Sequence, residues 1–130
     1  MKTAEEELME CSRWLLDAIS KGDWEAYARL ADPTITCFEP EALGHLVAGL
    51  PFHKFYFDLG ASSGPRHTTL IASHVRVMGD SAVVCYTRMT QYLDASGTPH
   101  TSTMEETRIW QKKDGQWKHV HFHRSPPGRA

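Results

Sequence analysis

The amino-acid sequence predicts an α+β domain in which a curved antiparallel sheet wraps a long N-terminal helix, leaving a cone with a mouth. Three observations predict it. Apolar residues recur at threes and fours near the N-terminus, the period drops to two from residue 67 almost to the end, and tight-turn signals separate the period-two runs. A chain of 130 residues buries enough surface for one core and not for two. Residues 1–125 are therefore read as a single domain and 126–130 as a loose tail.

The elements follow in order. Between residues 4 and 20, Leu8, Cys11, Leu15, Ala18 and Ile19 line one helix face, while Glu5, Glu6, Glu7, Arg13 and Asp17 hold the other. Thr3 with Glu6 three residues on has the spacing of a capping box. Gly22 stops this helix, and Asp23 caps a second one through Trp24, Tyr27, Ala28 and Leu30 that Asp32-Pro33 closes. Residues 34–38 are β-prone, Glu39-Pro40-Glu41 breaks them, and 44–48 form a short strand ended by Gly49. Pro51 suits the first turn of a helix that runs to residue 59. Its Phe52, Phe55, Tyr56, Phe57 and Leu59 cover more than one face. A short helix that cannot hide all its aromatics in its own core hides the rest against a neighbour, so Phe52, Phe55 and Tyr56 are read as oligomer contacts. After a flexible turn at 60–65, strands are expected at 67–78, 82–93, 99–112 and 116–124. Gly79-Asp80, the 94–97 turn and Asp114-Gly115 join them into an antiparallel meander.

Composition excludes several functions. The chain is 41% hydrophobic and 23% charged, as soluble globular chains are. No run approaches the roughly 18 apolar residues of a membrane helix. With 14 basic and 16 acidic residues, no overall charge draws it to nucleic acid or to a membrane, and neither is expected as a partner. Cys11, Cys37 and Cys85 are odd in number and lack CxxC spacing, so they read as small buried hydrophobes in a reducing compartment. Charged residues stand where a signal peptide has its apolar run, and a cytoplasmic location is expected. Neither a GxGxxG nor a GxxxxGK[ST] loop occurs.

Strand alternation tells where charged side chains point. Arg88 shares its face with Ala82, Val84, Tyr86 and Tyr92; Arg108 with Met104, Glu106 and Trp110; Arg124 with Val120 and Phe122. An isolated inward arginine costs several kcal/mol, so each needs either an internal carboxylate such as Glu39, Glu41 or Glu106, or a ligand. Phase does not decide between the two. Guanidinium forks suit carboxylates, and His53 and Tyr27 supply walls for such a pocket. The opposite face of the last strand carries Trp117, His119, His121 and His123, with roughly 7 Å between successive positions, too long for one ion unless the strand bends. That row is read as an interface or solvated face, and no metal or cofactor is expected. A cavity enzyme would draw on Asp32, Glu39, Glu41 and His53.

The strings GDWEAYARLADP, CFEPEALGHLVAGLPFHKFYF, TQYLDASGTP and EETRIWQKKDGQWKHVHFHRS resemble the association, or hub, domain of calcium/calmodulin-dependent protein kinase type II, from about Glu5 to Ser125. The wider superfamily is similar to nuclear transport factor 2 and to ketosteroid isomerase and polyketide cyclase (SnoaL-like) enzymes. The resemblance implies a conical fold and a non-catalytic scaffold whose copies close into two stacked rings of about twelve to fourteen subunits or more. It also implies a cavity whose arginines bind a small carboxylate or a peptide. Matched residue by residue, those positions are Arg88 ahead of TQY, Arg108 in EETR, Arg124 in HFHR, His53 in FHKF, and Tyr27. The expected partners are further copies of the chain, the hub of a full-length kinase, and a small carboxylate. The kinase motifs VAIK, HRD and DFG do not occur, and a methionine followed directly by a helix reads as a free-standing hub. The loop at 58–64 is shorter than the family's and has no aromatic, so gating by that loop is not expected. The runner-up function is a small-molecule enzyme or sensor using the same cavity.

Overall fold

The computed structural model describes residues 1–61 and 64–128. Helix α1, Ala4–Lys21, begins with both halves of the capping box: the Glu6 N–H donates to Thr3 Oγ1 and the Thr3 N–H donates to Glu6 Oε1. It ends at Gly22, whose φ of 67° and 3.0 Å gap from a would-be Cβ to the Ala61 nitrogen admit only glycine comfortably. Asp23 accepts from the Ala26 N–H and opens α2, Trp24–Leu30. Strand β1, Ala31–Phe38, starts three residues earlier than its β-propensity implies. The segment expected as a strand at 44–48 is shorter, with a 3-10 turn at Pro40–Ala42 and only Val47–Ala48 paired as β2. Helix α3, Pro51–Asp58, precedes the meander of β3, Arg66–Met78; β4, Ser81–Leu93; β5, Pro99–Lys113; and β6, Gln116–Ser125.

All six strands form one sheet in the order β2-β1-β6-β5-β4-β3. Every pairing is antiparallel except β1 with β6, which is parallel. That pairing lays Cys37 beside Phe122 and Phe38 beside His123, so the chain just after β1 reaches the same end of the sheet as Arg124. Leu8 and Leu15 of α1 pack with Ile35, Val84 and Trp110, all with no exposed surface. The predicted α+β class, with its sheet around the N-terminal helix, is the fold observed.

The last strand departs from strict alternation. Ile109 pairs with His121 but Trp110 pairs with His119, which leaves Val120 as an extra residue in a bulge. A bulge resets which residues face inward. Trp117 and His119 are buried on the inner side before it, and Phe122 and Arg124 take the inner side after it. The row of Trp117, His119, His121 and His123 is therefore broken in the middle, and Val120 is not on the face of Arg124. Residues 126–128 have no regular structure; positions 62 and 63 of the turn and 129 and 130 of the tail lie outside the described residues. Among the described residues no helix is long and apolar enough to cross a membrane.

Candidate functional site

Glu106 sits at the middle of a charged lattice because of strand register. Its cross-strand neighbours are Tyr86 on β4 and Arg124 on β6, Arg108 lies two residues along the same face, and Arg88 lies two residues beyond Tyr86. The fully buried carboxylate accepts from Tyr86 Oη at 2.8 Å and from Arg108 Nη2 at 2.9 Å. Arg108 Nε also donates to Tyr86 Oη at 2.8 Å. Arg88 Nε lies 2.9 Å from Glu106 Oε2, yet the alignment makes no hydrogen bond, and both atoms are buried without a hydrogen-bond partner among the described residues. Arg124 stands 3.8 Å from the same oxygen and donates at 2.7 and 2.6 Å to the two oxygens of Glu41 and at 3.4 Å to Glu39.

These groups enclose a cavity of about 190 Å³ whose wall includes Tyr27, His53, Arg88, Arg108 and Arg124, the five residues picked from sequence, together with Glu39 and Glu41. Helix α2 presents Tyr27 and α3 presents His53, with Phe57 and Phe122 closing the apolar side. The structure thus gives the arginines internal carboxylate partners, one of the two alternatives that phase left open. Three guanidiniums meet three carboxylates, so the site is formally neutral. A carboxylate ligand has to take over an arginine rather than find one bare. Arg124 is the natural place, because its partner Glu41 is the most solvent-exposed of the three acids.

Burial sets the protonation states. It would raise Glu106, but the charges of Arg108 and Arg88 outweigh it and hold the carboxyl below its usual range. Burial would likewise lower Arg108, and Tyr86 and Glu106 reverse that. Burial, aided by Arg108, pushes His53 down to about 4, so the imidazole is neutral near pH 7. Burial and the neighbouring Glu41 raise Glu39. His119 is lowered by burial and then by Arg108, whose Nη1 is 3.5 Å from its Nε2.

Two of the acids and bases picked from the sequence part company here. Asp32 is outside the cavity, where it accepts from Lys113 at 2.6 Å and from the Thr34 hydroxyl at 2.6 Å, contacts that hold it down to about 2. His53, by contrast, has a neighbour that sequence reasoning took only for a small hydrophobe: Cys37 Sγ lies 3.8 Å from its Nε2, while Glu39 Oε1 lies 3.7 Å from its Nδ1. Cys37 and Glu39 share a side of the chain at i and i+2, a signal legible in sequence, but His53 reaches them only through α3. Of the proposed contact residues, Phe55 and Tyr56 are 61% and 40% exposed, whereas Phe52 is half-buried against the core.

Residues 4–128 match the family described as calcium/calmodulin dependent protein kinase II association domain. The chain is 48% identical over 128 residues to the delta subunit of calcium/calmodulin-dependent protein kinase type II from Oryctolagus cuniculus, covering 96% of this chain and 24% of that protein. It thus spans about a quarter of the curated relative's length. Among solved structures it resembles the C. elegans association domain of this kinase, with a TM-score of 0.88, 48% identity and coverage of 93% and 94% of the two chains. It also resembles the hub homology domain from Chlamydomonas reinhardtii, with a TM-score of 0.90, 48% identity and coverage of 97% and 100%. A nuclear transport factor 2-like protein from Salmonella enterica, 22% identical with a TM-score of 0.79 over 96% of this chain and 92% of that one, shares the fold alone.

Proposed function

This chain belongs to the calcium/calmodulin dependent protein kinase II association domain family, and we propose that it is a non-catalytic hub whose copies assemble into a closed, two-tiered ring of about twelve to fourteen subunits or more. The observation that carries the reading is the apolar surface of a lone subunit between residues 43 and 59. Leu43, Leu46, Phe55, Tyr56 and Leu59 are 86%, 55%, 61%, 40% and 70% exposed there. Apolar burial is worth about 25 cal/mol per Å², and a stable interface of standard size buries on the order of 1,600 Å². Removing these side chains from water is the driving force for self-association. The matched residues 4–128 are an association domain, and co-assembly with the hub of a full-length kinase is part of the proposed reading.

The cavity is read as a subsite for a small carboxylate or a peptide carboxylate, with Arg124 exchanging Glu41 for the ligand and Arg88 offering a donor that has no hydrogen-bond partner among the described residues. A cavity enzyme is the weaker reading, because Asp32 lies elsewhere and the acids Glu39 and Glu41 are engaged with Arg124. The reading includes a cytoplasmic location, supported by three free cysteines. Native mass spectrometry at micromolar concentration tests the assembly: a large closed oligomer is expected, and a monomer ends the proposal.

A further inference from the structure

Beyond the assembly and its anion cavity, the wall behind the cavity gathers a second kind of chemistry. Cys37 at the end of β1 and Glu39 two residues on point the same way, while Phe38 between them turns outward against His123. Helix α3 lays His53 over the pair, its ring also packed on Tyr27 and Phe122. One ligand atom from each of Cys37, Glu39 and His53 lies within 4.8 Å of the other two. We propose that these three residues form a site for a divalent cation of the zinc class, with the fourth position opening on the arginine cavity.

The donor set fits that ion. Thiolate, imidazole and carboxylate are the ligands zinc takes, and three of them with one open position is the arrangement of zinc sites that also bind a small ligand. In a tetrahedral site with Zn–N of about 2.0 Å and Zn–S of about 2.3 Å the ligand atoms stand about 3.3–3.6 Å apart, so from separations of up to 4.8 Å a contraction of at most about 1.5 Å closes this set. Little already bonded has to be given up. Cys37 faces the His53 Nε2 at 3.8 Å and Glu39 Oε1 faces its Nδ1 at 3.7 Å, both too far for strong hydrogen bonds, so the ring turns to give one nitrogen to the ion, and the bond at stake is the long 3.4 Å one from Arg124 to Glu39 Oε2. Arg124 keeps its closer partner Glu41 when Glu39 moves. His53, held neutral by burial, has a lone pair to give.

Cation binding forms a metal–sulfur bond and releases the Cys37 thiol proton to solvent, so the thiolate offsets one of the two positive charges and the cluster, in which Glu39 already balances an arginine, gains one net positive charge facing the open position. The same three groups in line also resemble a nucleophile, base and orienter, but Cys37 is fully enclosed and not part of the cavity wall. Burial pushes its thiol up to about 12, the reverse of an activated nucleophile. A metal overcomes that by bonding the sulfur, which no substrate in the cavity can reach.

Titration of the assembled, chelator-stripped protein with Co(II), followed by displacement with Zn(II), tests the site. One Co(II) per subunit is expected, with thiolate-to-cobalt charge-transfer absorption, visible bands of tetrahedral intensity and release of about one proton. The Cys37→Ala variant should lose the charge-transfer band, and His53→Gln should weaken binding by at least about 10-fold, as loss of even an outer partner can. A Cys11→Ala, Cys85→Ala double variant should keep the band. Absence of a thiolate band at stoichiometric Co(II), its persistence in Cys37→Ala, or binding confined to the exposed histidines overturns the proposal. Native mass spectrometry of the same samples reads subunit number independently, so failure of the metal site and failure of assembly are told apart.

Discussion

Replacing Glu106 with Gln removes one negative charge from the centre of the arginine lattice while keeping the side chain's size and a carbonyl acceptor for Tyr86 and Arg108. The structure sets the magnitude. Glu106 is fully buried, two guanidiniums lie at 2.9 Å and a third at 3.8 Å. At about 4 Å and an effective dielectric of about 20, one such pair is worth about 4 kcal/mol before desolvation. Removing one partner of a buried pair costs about 3–5 kcal/mol because the other charge stays behind. For a chain of this size each kcal/mol moves Tm by about 3–5 °C, so a fall of about 10–25 °C is expected. Melting has to be followed at one protein concentration, since assembly adds to apparent stability. The variant carries a net positive cavity, so added acetate should restore several degrees in Glu106→Gln and little in the parent. A melting point within about 2 °C of the parent with no response to acetate would show that Glu106 does not neutralise the cluster.

Phe55→Asp places a charge on an exposed position of α3, so the subunit should keep its circular dichroism while light scattering reports a smaller particle; an unchanged mass refutes its role at the contact. Arg124→Gln should abolish acetate binding in calorimetry at a cost of about 1–3 kcal/mol in stability, because Glu41 keeps contact with solvent while the buried Glu39 loses its cation. Unchanged binding removes Arg124 from the pocket. On acidification the unfolded chain protonates its histidines near 6.5, whereas folded His53 does so only at about 4 and burial holds His119 well below its ordinary range. Stability should therefore decline as pH falls from about 6.5 towards 4, by about 3 kcal/mol from His53 alone, and His53→Gln should flatten the denaturation profile in that window.

The elements that rest on local chemistry were legible in the sequence. Thr3 and Glu6 announce α1, Gly22 ends it, and the turns at Gly79-Asp80 and Asp114-Gly115 set a meander whose register carries Arg88 and Arg108 inward. The bulge at Val120 was not legible, because nothing in the string VHFHR distinguishes an extra residue from a paired one; only the partner strand's register reveals it. Its effect was to bury His119, which strict alternation had put outside with His121 and His123. The contact of Cys37 with His53 was hidden for a different reason. It depends on α3 folding back over the end of β1, a tertiary event between residues 16 apart in sequence that period and spacing do not encode.

Helix α3 joins the two halves of the proposed function. Its eight residues place His53 and Phe57 in the cavity wall and Phe55 on the outside, with Tyr56 both at the cavity and partly exposed. Close-packed elements move as units, so a shift of α3 that suits a ligand also displaces the aromatics of the proposed subunit contact. Binding free energies coupled in this way are reciprocal: if acetate changes the assembly equilibrium, assembly changes acetate affinity by the same factor. Sedimentation of dilute protein with and without acetate, set beside calorimetry of the parent and of the Phe55→Asp variant, measures both sides. Equal fold-changes are expected. Acetate affinity that is identical in the two particles, together with a subunit equilibrium that acetate leaves unmoved, would show that α3 does not couple the cavity to the contact.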